Sequence, residues 1–294
     1  MPRDMTPASS ANPPPYRGHD ELIVEVDANA APLLPWREIH RFRELFFLLA
    51  WRDFTVRYKQ TLVGFAWAVI QPVIQMGVFT VVFGLIAGLE DSTPVMILAA
   101  LLPWQLFRQA LQNASMSITK NTPLVAKAYT PRVFLPASSI IVTLIDFAIG
   151  VVLLMVVMAL SGSEFTLRLP LLFVIIIPAL LLALGASLFI SSMNVYYRDF
   201  KFLLPFLTKM GAWITPIGFT SERVLENTRI PDAIAFLFFL NPLLSVIDGC
   251  RWAVNGTTKV YPINIAIAVV VAVILITYGL RYFARAQRGF ADYI

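Results

Sequence analysis

The sequence predicts an all-α membrane protein: six transmembrane helices, an N-terminal interfacial amphipathic helix, and re-entrant helices between spans five and six. Three observations predict it. Of 294 residues, 58% are hydrophobic and only 14% charged, a balance outside that of soluble domains. Several runs reach the roughly 20 apolar residues that cross a hydrocarbon core. Threaded as six crossings, the chain also gathers most of its Lys and Arg on one side, as cytoplasmic loops do.

Residues 1–36 read as a cytoplasmic tail, Pro/Ser/Asn-rich and disordered, with a short alternating piece at Glu21–Val26 able to pair as an edge strand. This stretch lacks the apolar core of a signal peptide, so membrane entry is expected to be directed by the first span. Residues 37–60 form the interfacial helix. Phe47, Trp51, Phe54 and Tyr58 recur on one face, while Arg52, Asp53, Lys59 and Gln60 point away. Without a break signal, this helix runs into a charge-free stretch from Leu62 to Ala87, the first span.

Residues 61–294 read as one six-span transmembrane domain. The acidic turn at 88–94 leads to a second span over 95–118. Residues 120–136 follow, basic and interrupted by three prolines, so a short isolated helix fits them best. Spans three and four cover 137–160 and 171–194, and the charged loop 196–201 precedes a fifth span from near Phe202. The apolar run 233–247 is broken at Asn241-Pro242 and too short to cross at about 1.5 Å per residue. Counting it as a crossing would place the termini on opposite sides.

Charge argues against a seventh crossing. With six spans, the cytoplasmic side holds Arg37, Arg41, Arg43, Arg52, Arg57 and Lys59, then Lys120, Lys127 and Arg132, then Arg198 and Lys201, then Arg281, Arg285 and Arg288. The outer side holds Arg168, Arg223, Arg229, Arg251 and Lys259. Both termini are therefore placed in the cytoplasm, and residues 213–250 become a re-entrant pair dipping from the outer face. Broken backbone at that depth needs shielding by protein or a water-filled cavity.

Several function classes are excluded. No G-x-x-x-x-G-K-[ST], H-E-x-x-H or G-x-S-x-G occurs, and one cysteine, Cys250, with two histidines, His19 and His40, gives no metal or disulfide framework. The five surplus positive charges set topology rather than bind nucleic acid. No catalytic residue and no metal site is expected.

Charged residues inside spans suggest function by default. They are Arg108 in span two, Asp146 in span three and Lys209 in span five, with Asp146 expected to pair with Arg108 or Lys209. Among the aromatics, Trp67, Trp213 and Phe219 are candidates to line a path, and Trp104 and Trp252 to anchor at the interface. Breaks at Pro216, Asn241-Pro242 and Asp248 are candidates for an outer gate or for plain packing. In the loop after span two, Leu124, Val125 and Tyr129 can pack while Lys127 and Arg132 pair with charge. Such a helix, bounded by Pro123 and Pro131, either docks in a partner's groove or serves as a solvated topogenic loop.

The runs RDFTVRYKQTLVGFAWAVIQPVIQMGVFTVVFG at 52–84, LLPWQLF at 101–107, NTPLVAKAYTPRVFLP at 121–136, NVYYRDF at 194–200, LNPLLSVIDGCRWAV at 240–254 and RGFADYI at 288–294 resemble the membrane permease of type-2 ABC exporters. More narrowly, they resemble the branch exporting bacterial polysaccharides such as O-antigen, capsule and teichoic acid. The resemblance implies a homodimer in the bacterial inner membrane, surrounded by membrane lipids and moving a lipid-linked glycan. Each subunit would dock on a separate ABC ATPase subunit, two copies in all, through which ATP and Mg act; this chain would bind no cofactor directly. It further implies ATPase-coupling roles for Arg52, Arg57, Lys59, Asn121, Pro123, Leu124, Lys127, Tyr129, Arg132, Arg198 and Asp199. Alternatives are a type-2 exporter of lipids or hydrophobic drugs, and a membrane anchor or channel without ATP coupling.

Overall fold

The computed structural model describes residues 42–59, 66–127, 131–197, 199–226 and 230–290. The tail, the possible strand at 21–26, the join at 60–65, Tyr129 and Arg198 lie outside the described residues. Within them all regular structure is helical.

Helix α1 is Arg43–Lys59. Leu49 and Ala50 face the protein, whereas Phe47, Leu48 and Trp51 are about two-thirds exposed. Helix α2, Trp67–Phe79, continues as a π-helical stretch, Thr80–Ile86. The two make one apolar segment of 20 residues, on which only Pro72 is buried. Helix α3, Pro94–Lys120, opens on an N-cap in which Thr93 Oγ1 accepts from the Met96 amide at 3.3 Å, with proline at the first helical position. It is the central helix: Ile97 through Leu102 are buried without interruption, so no face is left for lipid there. Around it pack α2, helix α5 (Phe134–Leu160), helix α7 (Ile177–Tyr196), helix α8 (Phe200–Ile214) and helix α11 (Leu244–Asn255).

Short helix α4, Thr122–Lys127, links α3 to α5. A 3₁₀ turn at Leu169–Leu171 and helix α6, Leu172–Ile175, run into α7 and complete the fourth span. Helix α12, Pro262–Ala286, then packs along α7 at very short range. A Cβ built on Gly279 would lie 2.3 Å from the Gly185 carbonyl oxygen, and one on Gly185 2.5 Å from the Ile276 nitrogen. Only glycine lets the two backbones meet this closely, the device by which helices associate in lipid without a hydrophobic driving force.

Among the described residues five segments are long and apolar enough to cross a membrane, Trp67–Ile86, Pro94–Lys120, Phe134–Leu160, Leu169–Tyr196 and Pro262–Gly289, or six if the bent pair Asp232–Phe239 and Leu244–Asn255 is taken as one. The crossing expected from Phe202 differs, because α8 has 15 residues, about 22 Å of helix. It stops where Thr215 turns extended, with Thr215 Oγ1 donating back to the Gly211 carbonyl at 2.7 Å and Pro216 following. Helix α9, Ser221–Glu226, precedes the broken pair α10, Asp232–Phe239, and α11, whose axes bend by 74°. The break falls at Asn241-Pro242 as the sequence predicts, and Asn241 Oδ1 accepts from the Leu243 amide at 3.0 Å to hold the turn.

Candidate functional site

The end of the bundle carrying α1 and α4 brings together side chains from four elements. Helix α1 lies against α5, so its last turn meets the one acidic residue inside that span. Arg57 Nη2 lies 2.7 Å from Asp146 Oδ2 and donates to Gln109 Oε1 at 2.6 Å. The Tyr58 hydroxyl donates to Asp146 Oδ1. Burial first, and then the hydrogen bond and charge of Asp146, push the Tyr58 phenol up from its ordinary range, so it stays a donor. Asp146, with an 11% exposed side chain, is thus neutralised by α1 and not by Arg108 or Lys209 as expected. Neither of those two makes an ion pair among the described residues, and Lys209 is exposed.

A row of glutamines on α3, at spacings of four and three, fastens α3 to three neighbours. Gln105 donates to Gln75 of α2 at 2.7 Å, Gln109 accepts from Arg57 of α1, and Gln112 donates to Thr208 of α8 at 2.8 Å. Sequence reasoning passed over these residues because they carry no charge. Their signal was the i, i+4, i+7 spacing of amides inside an apolar run, which puts them on one helical face.

Two cavities adjoin this joint, and Arg57 lines both. The first, about 460 Å³, lies between α1, α2, α3 and α5, with Trp67, Gln71, Gln105, Gln109, Asp146 and Phe147 among its walls. The second, about 430 Å³, is bordered by Arg52, Asp53, Lys120, Asn121 and Ser139. Trp67 therefore lines a space within this chain.

The remaining coupling candidates spread over the same end. Arg52 pairs with Asp53 at 2.7 Å, and Lys59 and Asp199 are exposed. Asn121 Nδ2 donates to the Ser117 carbonyl at 2.8 Å, ending α3, after which Pro123 lies in the first turn of α4 and Leu124 packs into a cluster with Leu49, Phe134, Phe283 and Phe290. Lys127 closes α4. Arg132 is engaged inside the chain: it donates to the Gln287 carbonyl and lies over the Phe290 ring at 5.8 Å. Together with Tyr196, whose hydroxyl donates to the Ala286 carbonyl at 3.0 Å, it ties down the end of α12.

The opposite end is built around Arg251, which the charge count treats as an outer-loop cation. It is 2% exposed, donates to the Phe219 and Ile217 carbonyls at 2.8 Å each and to the Met96 carbonyl at 3.5 Å, and lies 3.7 Å from Asp248. Asp248 accepts from Ser221 at 2.5 Å. Of the gate candidates Asp248 belongs to this knot and Pro216 is buried, while Phe219, a path candidate, packs between Phe83 and Phe238. Trp213 stacks on Phe79 and is 64% exposed. Trp104 is not an interfacial anchor, since it is 5% exposed in the central core, while Trp252 receives Arg168 over its ring at 5.0 Å.

A family model described as "ABC-2 type transporter" matches residues 44–254. Curated relatives include an "O-antigen export system permease protein RfbA" from Klebsiella pneumoniae, 25% identical over 255 residues, covering 85% of this chain and 94% of the relative. A protein of the same name from Myxococcus xanthus is 24% identical over 212 residues, covering 72% of this chain and 80% of its own.

Proposed function

The chain belongs to the ABC-2 type transporter family and is a multi-pass membrane permease, and from that premise we propose that it moves a lipid-linked polysaccharide of the O-antigen, capsule or teichoic-acid class across the bacterial inner membrane. The cargo assignment is supported by relatives named for O-antigen export that align over nearly their whole length. The sequence has no phosphate-binding loop, so force is assigned to two copies of a separate ABC ATPase that hold ATP and Mg. The α1 end is placed in the cytoplasm with both termini.

The observation that carries the mechanism is the joint of Arg57, Tyr58 and Asp146. A push on α1 or α4 cannot move a span unless something rigid connects them, and this joint ties α1 to α5 while Gln109 ties it to α3. ATP binding in the partner would tilt α1, and α5 and α3 would follow. Two copies would form the channel along their interface. Exposed apolar rows on α2 (Val73, Ile74, Val78) and α8 (Phe202, Phe206, Met210, Trp213), joined by the Phe79–Trp213 stack, supply a face for the second copy.

The test is a strain lacking this gene. The wild-type gene should restore surface polysaccharide, and the neighbouring ATPase should co-purify with the permease. Restored tolerance to hydrophobic drugs with no surface glycan would reassign the cargo. Activity without any ATPase would return the chain to the anchor or channel class.

A further inference from the structure

We propose that the cavity between α1, α2, α3 and α5 binds one or two neutral sugar units of the cargo, within each subunit. This rests on the polysaccharide reading above and adds a site to it. At about 460 Å³ the cavity falls among the smaller ligand pockets, which run from about 300 to 1,000 Å³.

Charge selects the ligand first. Arg57 is the only cation among the lining residues, and the 2.7 Å contact with Asp146 cancels it. A phosphate would have to break that pair. A neutral ligand leaves it intact.

Hydrogen-bonding capacity selects next. The Gln71 amide has no protein partner among the described residues. Gln105 uses its nitrogen on Gln75 and keeps its oxygen, while Gln109 uses its oxygen on Arg57 and keeps its nitrogen. Free donors and free acceptors thus stand side by side, the arrangement a hydroxyl satisfies because it both donates and accepts. An acyl chain would leave the Gln71 amide, the Gln105 oxygen and the Gln109 nitrogen without a partner, which is unfavourable away from water. Flat apolar surface completes the set: Phe147 is buried in the wall, and Trp67, 58% exposed, offers its ring at the margin. Amides beside aromatic rings fit the polar edge and apolar face of a pyranose.

The experiment uses the full-length chain in nanodiscs with an octyl glucoside carrying a photoreactive diazirine on its sugar ring, and maps labelled peptides by mass spectrometry. Label is expected on residues of α2, α3 and α5 that line the cavity, competed by octyl β-glucoside but not by 1-octanol or octyl phosphate. Gln71→Ala should lower labelling about fivefold to tenfold, the weight of one hydrogen bond, with Gln71→Asn between it and wild type. Both variants should keep the wild-type elution volume and thermal unfolding. Competition by 1-octanol would make the cavity a lipid-tail groove, and stronger competition by octyl phosphate would make it an anion site. Either result, or label falling elsewhere, overturns the proposal. Complementation by the wild-type gene is read separately: failure there with cavity labelling intact removes the cargo assignment and leaves the pocket, whereas restored export without cavity labelling removes the pocket alone.

Discussion

The two ends of the bundle each hold a charged pair, but they use it in opposite ways. At the α11 end, Arg251 sends its guanidinium to backbone carbonyls of residues 96, 217 and 219 and is closed off from solvent, so the segment after α8 is held to both α3 and α11. At the α1 end, Arg57 meets side chains only, is 35% exposed, and stands between two cavities. Backbone carbonyls move only with the fold, whereas side-chain partners beside open space can be carried along or let go. The difference teaches which end is fixed to the backbone, and it is the other end that the proposed mechanism pushes.

The comparison breaks most sharply at Arg251. Arg251→Ala leaves three carbonyls and the Asp248 carboxylate without their partner, and removing one member of a buried charged pair costs about 3–5 kcal/mol. Expression and thermal unfolding in detergent should both fall, and Arg251→Lys should recover only part, since an ammonium cannot reach the same fork of acceptors. Wild-type thermal stability in Arg251→Ala would show that this end is not the frame.

Asp146→Ala should act differently, keeping most of the fold and losing export. The bundle retains its core, but α1 loses both of its bonds to the α5 carboxylate, a cost of about 1–3 kcal/mol. Surface polysaccharide should drop while the ATPase still co-purifies. The swap Arg57→Asp with Asp146→Arg should restore part of the export. If Asp146→Ala exports normally, α1 does not drive the bundle through this contact.

Much of this frame was legible beforehand, for a physical reason. Hydrophobic length is a property of a single run, so segments such as Pro94–Lys120 and Phe134–Leu160 can be read directly, and the Asn241-Pro242 break announces itself through proline's missing donor. The joint was not legible, because Asp146 meets Arg57 across 89 positions of chain and only the fold-back of α1 onto α5 chooses that partner. Arg251 misled for a related reason, since charge counts assume that a cation near a span end is in water. The shortness of α8 was hidden in a largely apolar run that continues past Ile214, where Thr215 and Pro216 turn the chain without bringing in a charge. The glutamines on α3 were readable from spacing alone, but polarity without charge had been given no weight.

Arg132 sharpens the comparison further. It sits at the α1 end, yet it contacts the Gln287 backbone as Arg251 contacts its carbonyls. Arg132→Gln should therefore loosen the last turn of α12, read as faster amide exchange at residues 283–289, while Lys127→Glu should lower ATPase co-purification without that change. The reverse pattern would assign docking to Arg132 and a local role to Lys127.

The smallest effects should come from the exposed ion pairs at the α11 end. Arg223 meets Asp91 at 3.1 Å with side chains 40% and 53% exposed, and Lys259 meets Glu222 at 3.5 Å. Both join segments that Arg251 and the Ser92–Gly218 hydrogen bond already hold together. Screening by salt and the entropy of holding long side chains reduce such contacts to about 0–1 kcal/mol. Asp91→Asn with Lys259→Gln should leave thermal unfolding and export within error of wild type, at low and at high salt. A clear loss of stability confined to low salt would mean that the frame at this end leans on surface charge as well as on the buried arginine.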